Sequence, residues 1–215
     1  SGVSVGANAV IARMVGSGNK DQIGKSVHTS IAIAVLSGAI IMIVGEWITR
    51  PLLALVSTPE HVMDMAVLYL RIYFSGSIFI MLYNFEAAIL RAGGDTKRPL
   101  YVLLVSGVLN ILLNLFFVMS CGMSVEGVAL ATLVSNIVSA LMLFGMLLRE
   151  KGDLRISVSE VRLHSGIARG ILMVGIPAAI QGMLFNIANI VLQSGINSLG
   201  ATVVAGNTVG VNVEI

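Results

Sequence analysis

The chain has 215 residues, 56% of them hydrophobic and 11% charged, with a formal net charge of +2 and a mean hydropathy of +0.95. Soluble domains carry roughly 25% charged residues, and a soluble fold of this length has too little interior for so much apolar surface, so lipid must be its solvent. The charges gather in a few breaks instead of along one basic face, which excludes a nucleic-acid-binding chain. Cys121 stands alone, which excludes an intramolecular disulfide or a thiolate metal site.

From Val3 the sequence is small and apolar as far as Val15, then breaks into a Gly-rich polar loop over residues 16–25. This reads as the second half of a spanning helix. The first complete span covers residues 27–48, with Glu46 and Trp47 at its far end, where Trp suits the interfacial belt. Pro51 is expected to stop that helix. Ser57-Thr-Pro-Glu60 is a restart signal, with Thr58 as N-cap and Pro59 at the first helical position, or Ser57 and Glu60 as a capping box. The span at residues 65–90 follows as one long helix able to tilt, with Tyr69, Arg71 and Tyr73 near its start and Arg71 placed to snorkel.

Leu90-Arg-Ala-Gly-Gly-Asp-Thr-Lys-Arg-Pro99 is a turn at a membrane surface. Gly93 and Gly94 permit the turn, Asp95 or Thr96 can cap the next helix, and Pro99 sits near its first turn. Arg91, Lys97 and Arg98 can meet anionic headgroups, so topological anchoring is the first role of this loop. Spans at residues 101–120 and 128–148 flank the tight break at 121–127. Residues 149–169 form the longest polar segment, where Ser157-Val-Ser-Glu160 can cap a short surface helix. The span at residues 170–199 contains Pro177, which kinks the helix and frees a carbonyl.

The breaks at 16–25, 91–99 and 149–169, together with Arg13, hold eleven of the thirteen Lys and Arg residues, leaving Arg50 and Arg71 on the other side. That asymmetry places the cation-rich side in the cytoplasm. Five complete spans then alternate between two stumps of about 14 residues, each too short to cross when about 20 are needed. No signal-peptide pattern opens the sequence. The chain is expected to be an internal piece of a larger all-helical membrane protein.

Glu86 is the acid set well inside a long apolar run. An ionisable group there is a functional hypothesis by default, so it either handles a proton or cation or pairs with Arg91, about 7.5 Å along the helix. Asn186, Asn189 and Gln193, spaced three and four apart, share one stripe, and Gln181 precedes them on the same span. The stripe either hydrogen-bonds to neighbouring helices or faces a cleft, and the proline in the same helix favours the cleft. Asn110 and Asn114, four apart, have Thr132, Ser135, Asn136 and Ser139 as potential partners on the next span, where interhelical packing is the better reading. Gly107, Ala129 and Ala131 would allow close approach. The three histidines lie in different breaks and form no ligand cluster. No nucleophile with a base, phosphate-binding loop or metal cluster marks an enzyme.

The run 90–99, with Val108-Leu-Asn-Ile-Leu-Leu-Asn114, Val125-Glu-Gly-Val-Ala-Leu-Ala-Thr132, Gly175-Ile-Pro-Ala-Ala-Ile-Gln181 and Ser198-Leu-Gly200, resembles the multidrug and toxic compound extrusion (MATE) transporters in order and spacing. The resemblance implies a polytopic helical bundle with two six-helix lobes in the full member. This chain would hold one nearly complete lobe, from the late second helix through the sixth (1–148), a cytoplasmic inter-lobe linker (149–169), and the start of the second lobe (170–215). It further implies a monomeric inner-membrane antiporter without cofactor, in contact with membrane lipids. Such a protein binds amphipathic, often cationic compounds between the lobes, with protons or sodium as the coupling ion. The site candidates are then Gln181, Asn186, Asn189, Gln193 and Glu86. One branch of the family carries an acid in the seventh helix, and residues 170–199 hold none, which disfavours the sodium-linked scheme of that branch. Another branch relies on an aspartate in the first helix, outside this chain. A related lipid-linked oligosaccharide flippase is the nearest alternative, but it would line its cavity with cations that these spans lack. A non-transporting scaffold would need no polar stripe.

Overall fold

The computed structural model describes residues 2–55 and 59–198, with the side chains of the last helix described as far as Leu192. The described residues form α1 (Gly2–Ser17), α2 (Lys20–Leu55), α3 (Glu60–Ser75), α4 (Ser77–Ala92), α5 (Lys97–Leu115), α6 (Val125–Leu148) and α7 (Ser165–Ser198). α5 runs on into a π turn at Phe116–Ser120, and a 3-10 turn at Val158–Glu160 lies in the long connection. No strand is present among the described residues. Four helices, α2, α5 with its π turn, α6 and α7, are long and apolar enough to cross a bilayer, and α3 with α4 makes a fifth span. Five spans is the expected number.

The fifth is not the single helix that the run 65–90 suggests. α3 and α4 meet at a 45° bend around Gly76, whose N–H bonds to the Tyr73 carbonyl at 3.1 Å. Glycine is a weak helix former, and here its missing side chain makes room. A Cβ on Gly76 would lie 2.7 Å from the Leu133 Cδ1 of α6, so the bend lets α6 pack into the break.

Pro51 does not stop α2, which continues to Leu55. The proline removes the hydrogen bond to the Trp47 carbonyl. Trp47 is 82% exposed at the far end of the helix, where water or headgroups can satisfy that carbonyl at little cost. The extra turns serve α3: Glu46 pairs with Arg71 at 3.5 Å, and Arg50 approaches Asp64 at 3.9 Å. α3 begins at Glu60, with Pro59 at the cap position. Ser57 and Thr58 lie outside the described residues.

α4 is the hub, packing against α1, α2 and α6 and touching α3 and α5. Residues 85–90 of α4 are all buried, so every face of nearly two turns is covered. One cluster joins Val27 and Ile31 of α2, Ile89 and Leu90 of α4, and Leu143 and Leu147 of α6. A second joins Ala7 of α1, Ala34 of α2, Phe85 of α4 and Ile171 of α7. Outward-facing apolar residues form the opposite surface, as on α5, where Leu103, Leu104, Val108 and Ile111 are all more than half or close to half exposed. That inversion belongs to a lipid-facing helix.

α7 is held to α1 by glycine. A side chain on Gly6 would strike the Ile171 carbonyl, and one on Gly175 would lie 2.9 Å from the Val3 Cα. The glycine expected to permit close approach, Gly107, has open space around it, while Ala129 and Ala131 are buried as expected.

Candidate functional site

The turn after α4 divides its work between two glycines. Gly94 has φ +86°, which only glycine adopts freely. Gly93 has an ordinary φ and instead leaves space for Leu154 of the long connection. Asp95 caps α5, its Oδ1 accepting from the backbone N–H groups of Lys97 at 3.0 Å and Arg98 at 3.1 Å. The Thr96 side chain makes no capping bond. Arg98 does not reach outward to headgroups. Its guanidinium donates to both Asp95 and Glu150, fastening the loop to the segment after α6. The Arg98 backbone N–H, then its guanidinium, hold the Asp95 carboxyl below the usual range. The guanidinium hydrogen bond does the same to Glu150. Arg91 and Lys97 remain exposed.

Glu86 is 0% exposed, and neither carboxylate oxygen has a hydrogen-bond partner among the described residues. Pairing with Arg91 is therefore not what the structure shows: five residues of helix turn Arg91 to another side, where it is exposed. Ser26 and Ser30 of α2, also buried, likewise have hydroxyls without a partner.

The polar stripe of α7 lies apart from Glu86. The first half of α7 packs on α1, but from Ile180 to Leu192 every residue is exposed. Gln181, Asn186 and Asn189 are in that stretch, and Asn186 donates only to the Gly182 carbonyl of its own helix, at 2.8 Å. The Gln193 side chain lies outside the described residues. α7 passes through Pro177 as one helix, and the carbonyl the proline frees belongs to Met173, 66% exposed.

Asn110 and Asn114 connect α5 to α6. Asn110 Nδ2 donates to Thr132 Oγ1 at 3.5 Å, and Asn114 Nδ2 donates to the Asn110 carbonyl at 2.9 Å and to its Oδ1 at 3.0 Å. Ser135 and Ser139 turn to their own helix, each bonding a carbonyl four residues back at 2.8 Å. The Asn114 Oδ1 is buried without a partner among the described residues.

Two features were not visible in the sequence. The connection after α6 folds back on the start of α2. The Ser157 N–H donates to His28 Nε2 at 2.9 Å, and His28 Nδ1 lies 2.7 Å from the Gly24 carbonyl, an arrangement that assigns the proton to Nδ1. Thr29 Oγ1 meets the Arg162 carbonyl at 3.4 Å and His164 Nδ1 at 3.1 Å. His28 and His164 thus line one cavity of about 500 Å³ with Lys20, Lys25 and Arg162, although no group of residues suited to a metal ion occurs among the described residues. The second feature is a cavity of about 400 Å³ between α1 and α4, lined by Ser4, Asn8, Asn84 and Arg91. Asn8 Nδ2 donates to the Ala88 carbonyl across it at 3.0 Å. Helix periodicity could flag the asparagines but not their juxtaposition.

The family model MatE matches residues 1–116. The chain is 28% identical over 211 residues to the probable multidrug resistance protein YoeA of Bacillus subtilis, covering 95% of this chain and 46% of that protein. The outward-facing structure of a multidrug resistance MATE family transporter of the MOP superfamily superposes with a TM-score of 0.84 at 26% identity, over 93% of this chain and 44% of that one. An inward-facing structure of such a transporter gives 0.77 at 27% identity, over 82% of this chain and 40% of that one. The chain spans about half the length of the curated relatives it matches.

Proposed function

The chain belongs to the MatE family of multidrug and toxic compound extrusion transporters, and from that premise we propose that it forms the first lobe, the inter-lobe linker and the start of the second lobe of a secondary exporter. The boundaries are residues 1–148, 149–169 and 170–215. The whole protein is an inner-membrane antiporter, with the cation-rich side in the cytoplasm. It moves amphipathic or cationic compounds outward against protons or sodium by alternating access.

The observation that carries this reading is the contrast within α7. Its first half is locked to α1 through Gly6 and Gly175, while the half bearing Gln181, Asn186 and Asn189 is exposed throughout. Amide side chains are costly against lipid, so such a stripe calls for a polar cleft or a further helix. The relatives are about twice as long as this chain, and a second lobe facing the stripe would enclose that cleft. Gln181, Asn186, Asn189 and Gln193 then offer adaptable hydrogen bonds to varied substrates. No catalytic step is needed.

The test is efflux of a fluorescent cationic dye from cells making the full-length protein. Export driven by a proton or sodium gradient is expected, with a clear loss in the double variant N186A/N189A. Absence of export under either gradient would overturn the exporter reading. Full activity in the double variant would overturn the placement of the site.

A further inference from the structure

The proposal concerns Glu86 and rests on the exporter reading. The side chain has no route to water or lipid: residues 85–90 are buried on all faces, and the flanking contacts are close. A Cβ on Gly38 of α2 would lie 2.6 Å from the Ile78 Cα of α4. Asn8 of α1 binds the Ala88 carbonyl, and Leu143 and Leu147 of α6 join Leu90 in the core. A rotamer change cannot carry the carboxyl out of this packing. Three helices would have to shift.

Charged groups on the surrounding elements do not compensate it. α1 contributes Arg13, which is exposed. On α2, Lys25 pairs with Asp21, and His28 is held by Gly24 and Ser157. Arg71 of α3 pairs with Glu46. On α5, Lys97 is exposed and Arg98 is engaged by Asp95 and Glu150. α6 has Glu126 in its first turn, at the opposite end from Leu143 and Leu147. On α4 itself, Tyr83 reaches the Pro99 carbonyl and Arg91 is exposed. Among the described residues no hydrogen bond or ion pair reaches either Glu86 oxygen.

We propose that Glu86, at the centre of the α4 hub, is a binding site for the coupling proton, and that its ionisation is what loosens the packing of α1, α2 and α6 around α4. A proton requires only the carboxyl. A sodium ion, as a hard cation, would require several further oxygens, and no side-chain oxygen engages this one. The neutral acid fits the closed packing, whereas a carboxylate there is strongly disfavoured until water or a cation reaches it. Binding and release of one proton therefore separate two packings of the lobe, which is the two-state element that alternating access requires. The step is a simple acid–base exchange: the carboxyl loses a proton to the aqueous side that opens and regains one from the other.

The experiment uses the full-length protein in liposomes, with a fluorescent cationic dye and either a pH gradient or a sodium gradient. The pH gradient alone is expected to drive the wild type, and E86Q, which mimics the neutral acid, to lose about tenfold or more of that rate while binding dye as before. In weakly buffered detergent, dye binding by the wild type should release about one proton, and binding by E86Q none. E86D, which keeps an acid at a shorter reach, should transport with a displaced pH profile, and it decides the matter if E86Q does not fold. An unchanged rate and pH profile in E86Q, or in E86D where that variant decides, overturns the proposal, as does a wild type driven by sodium and indifferent to pH. A wild type that exports under neither gradient removes the exporter reading as well, so the two failures are distinct.

Discussion

The Arg98 guanidinium donates to the Glu150 carboxylate across 52 positions of sequence, tying the turn after α4 to the segment after α6. The same side chain binds Asp95, which in turn caps α5. One cation therefore holds a cap, a turn and a connection.

Replacing Arg98 by alanine should lower thermal stability in detergent by about 1 kcal/mol or less, since the groups are partly exposed. Both carboxyls are held below their usual range by Arg98, so the sign of the pH effect is fixed. The stabilisation is complete above the ordinary carboxylate range and disappears as pH falls through the depressed folded-state values. The difference in melting temperature between wild type and R98A should thus be constant from pH 8 to about 5 and shrink in stronger acid. A gap that widens on acidification would contradict the arrangement.

Much of this was legible because lipid imposes long apolar runs and leaves the charges in the breaks. The span count, the capping role of Asp95 and the burial of Glu86 each follow from local pattern. What failed depends on neighbours. Pro51 reads as a stop, yet α2 continues because the freed carbonyl lies at an exposed end. Gly76 reads as one more small residue in a span, yet Leu133 turns it into a bend. Gly6 and Gly175 look no different from Gly107 in the sequence, and only the crossing of α1 and α7 separates them. The return of Ser157 onto His28 spans 129 positions, beyond any periodic signal. The exposure of Asn186 and Asn189 agrees with the expected stripe, while its role in binding rests on the efflux test.

That crossing gives a second prediction. Gly6→Val places a branched side chain against the Ile171 carbonyl, where backbone cannot yield, and should cost about 1–3 kcal/mol or prevent accumulation of folded protein. Gly107→Ala is the control. Open space surrounds Gly107, so alanine there should be neutral or stabilise by up to about 1 kcal/mol through helix propensity. Fluorescence-detected size-exclusion chromatography after a heat ramp ranks the two. Equal behaviour would show that α1 and α7 do not cross as described.

The His28 contact predicts protection of the connection from protease. His28→Ala leaves the Ser157 N–H without its acceptor and frees the stretch containing Arg155 and Arg162. Trypsin should then cut between residues 149 and 165 several-fold faster than in the wild type, because cleavage tracks the population of the opened segment. Thr29→Val, which removes the bonds to Arg162 and His164, should act in the same direction, and the double variant should exceed either alone. Cleavage at the wild-type rate in all three would mean that the connection is held by its apolar contacts, Leu154 and Ile156, and not by these hydrogen bonds.

The α7 stripe makes it possible to separate stability from transport. Asn186 and Asn189 are exposed, and the Asn186 amide bonds only within its own helix, so alanine at either position should change stability by no more than about 0.5 kcal/mol. Alanine is also the better helix former, which pushes any change toward stabilisation. Efflux should nevertheless fall, since each substitution removes an amide from the surface assigned to substrate. Asn110→Ala provides the contrast: it breaks the link to Thr132 and deprives Asn114 of its side-chain acceptor, so stability itself should drop, by about 1 kcal/mol. Melting temperature and dye efflux measured on the same preparations place each variant on two axes. If Asn186 and Asn189 variants lose efflux only in proportion to lost stability, the stripe is a packing surface and the substrate site lies elsewhere.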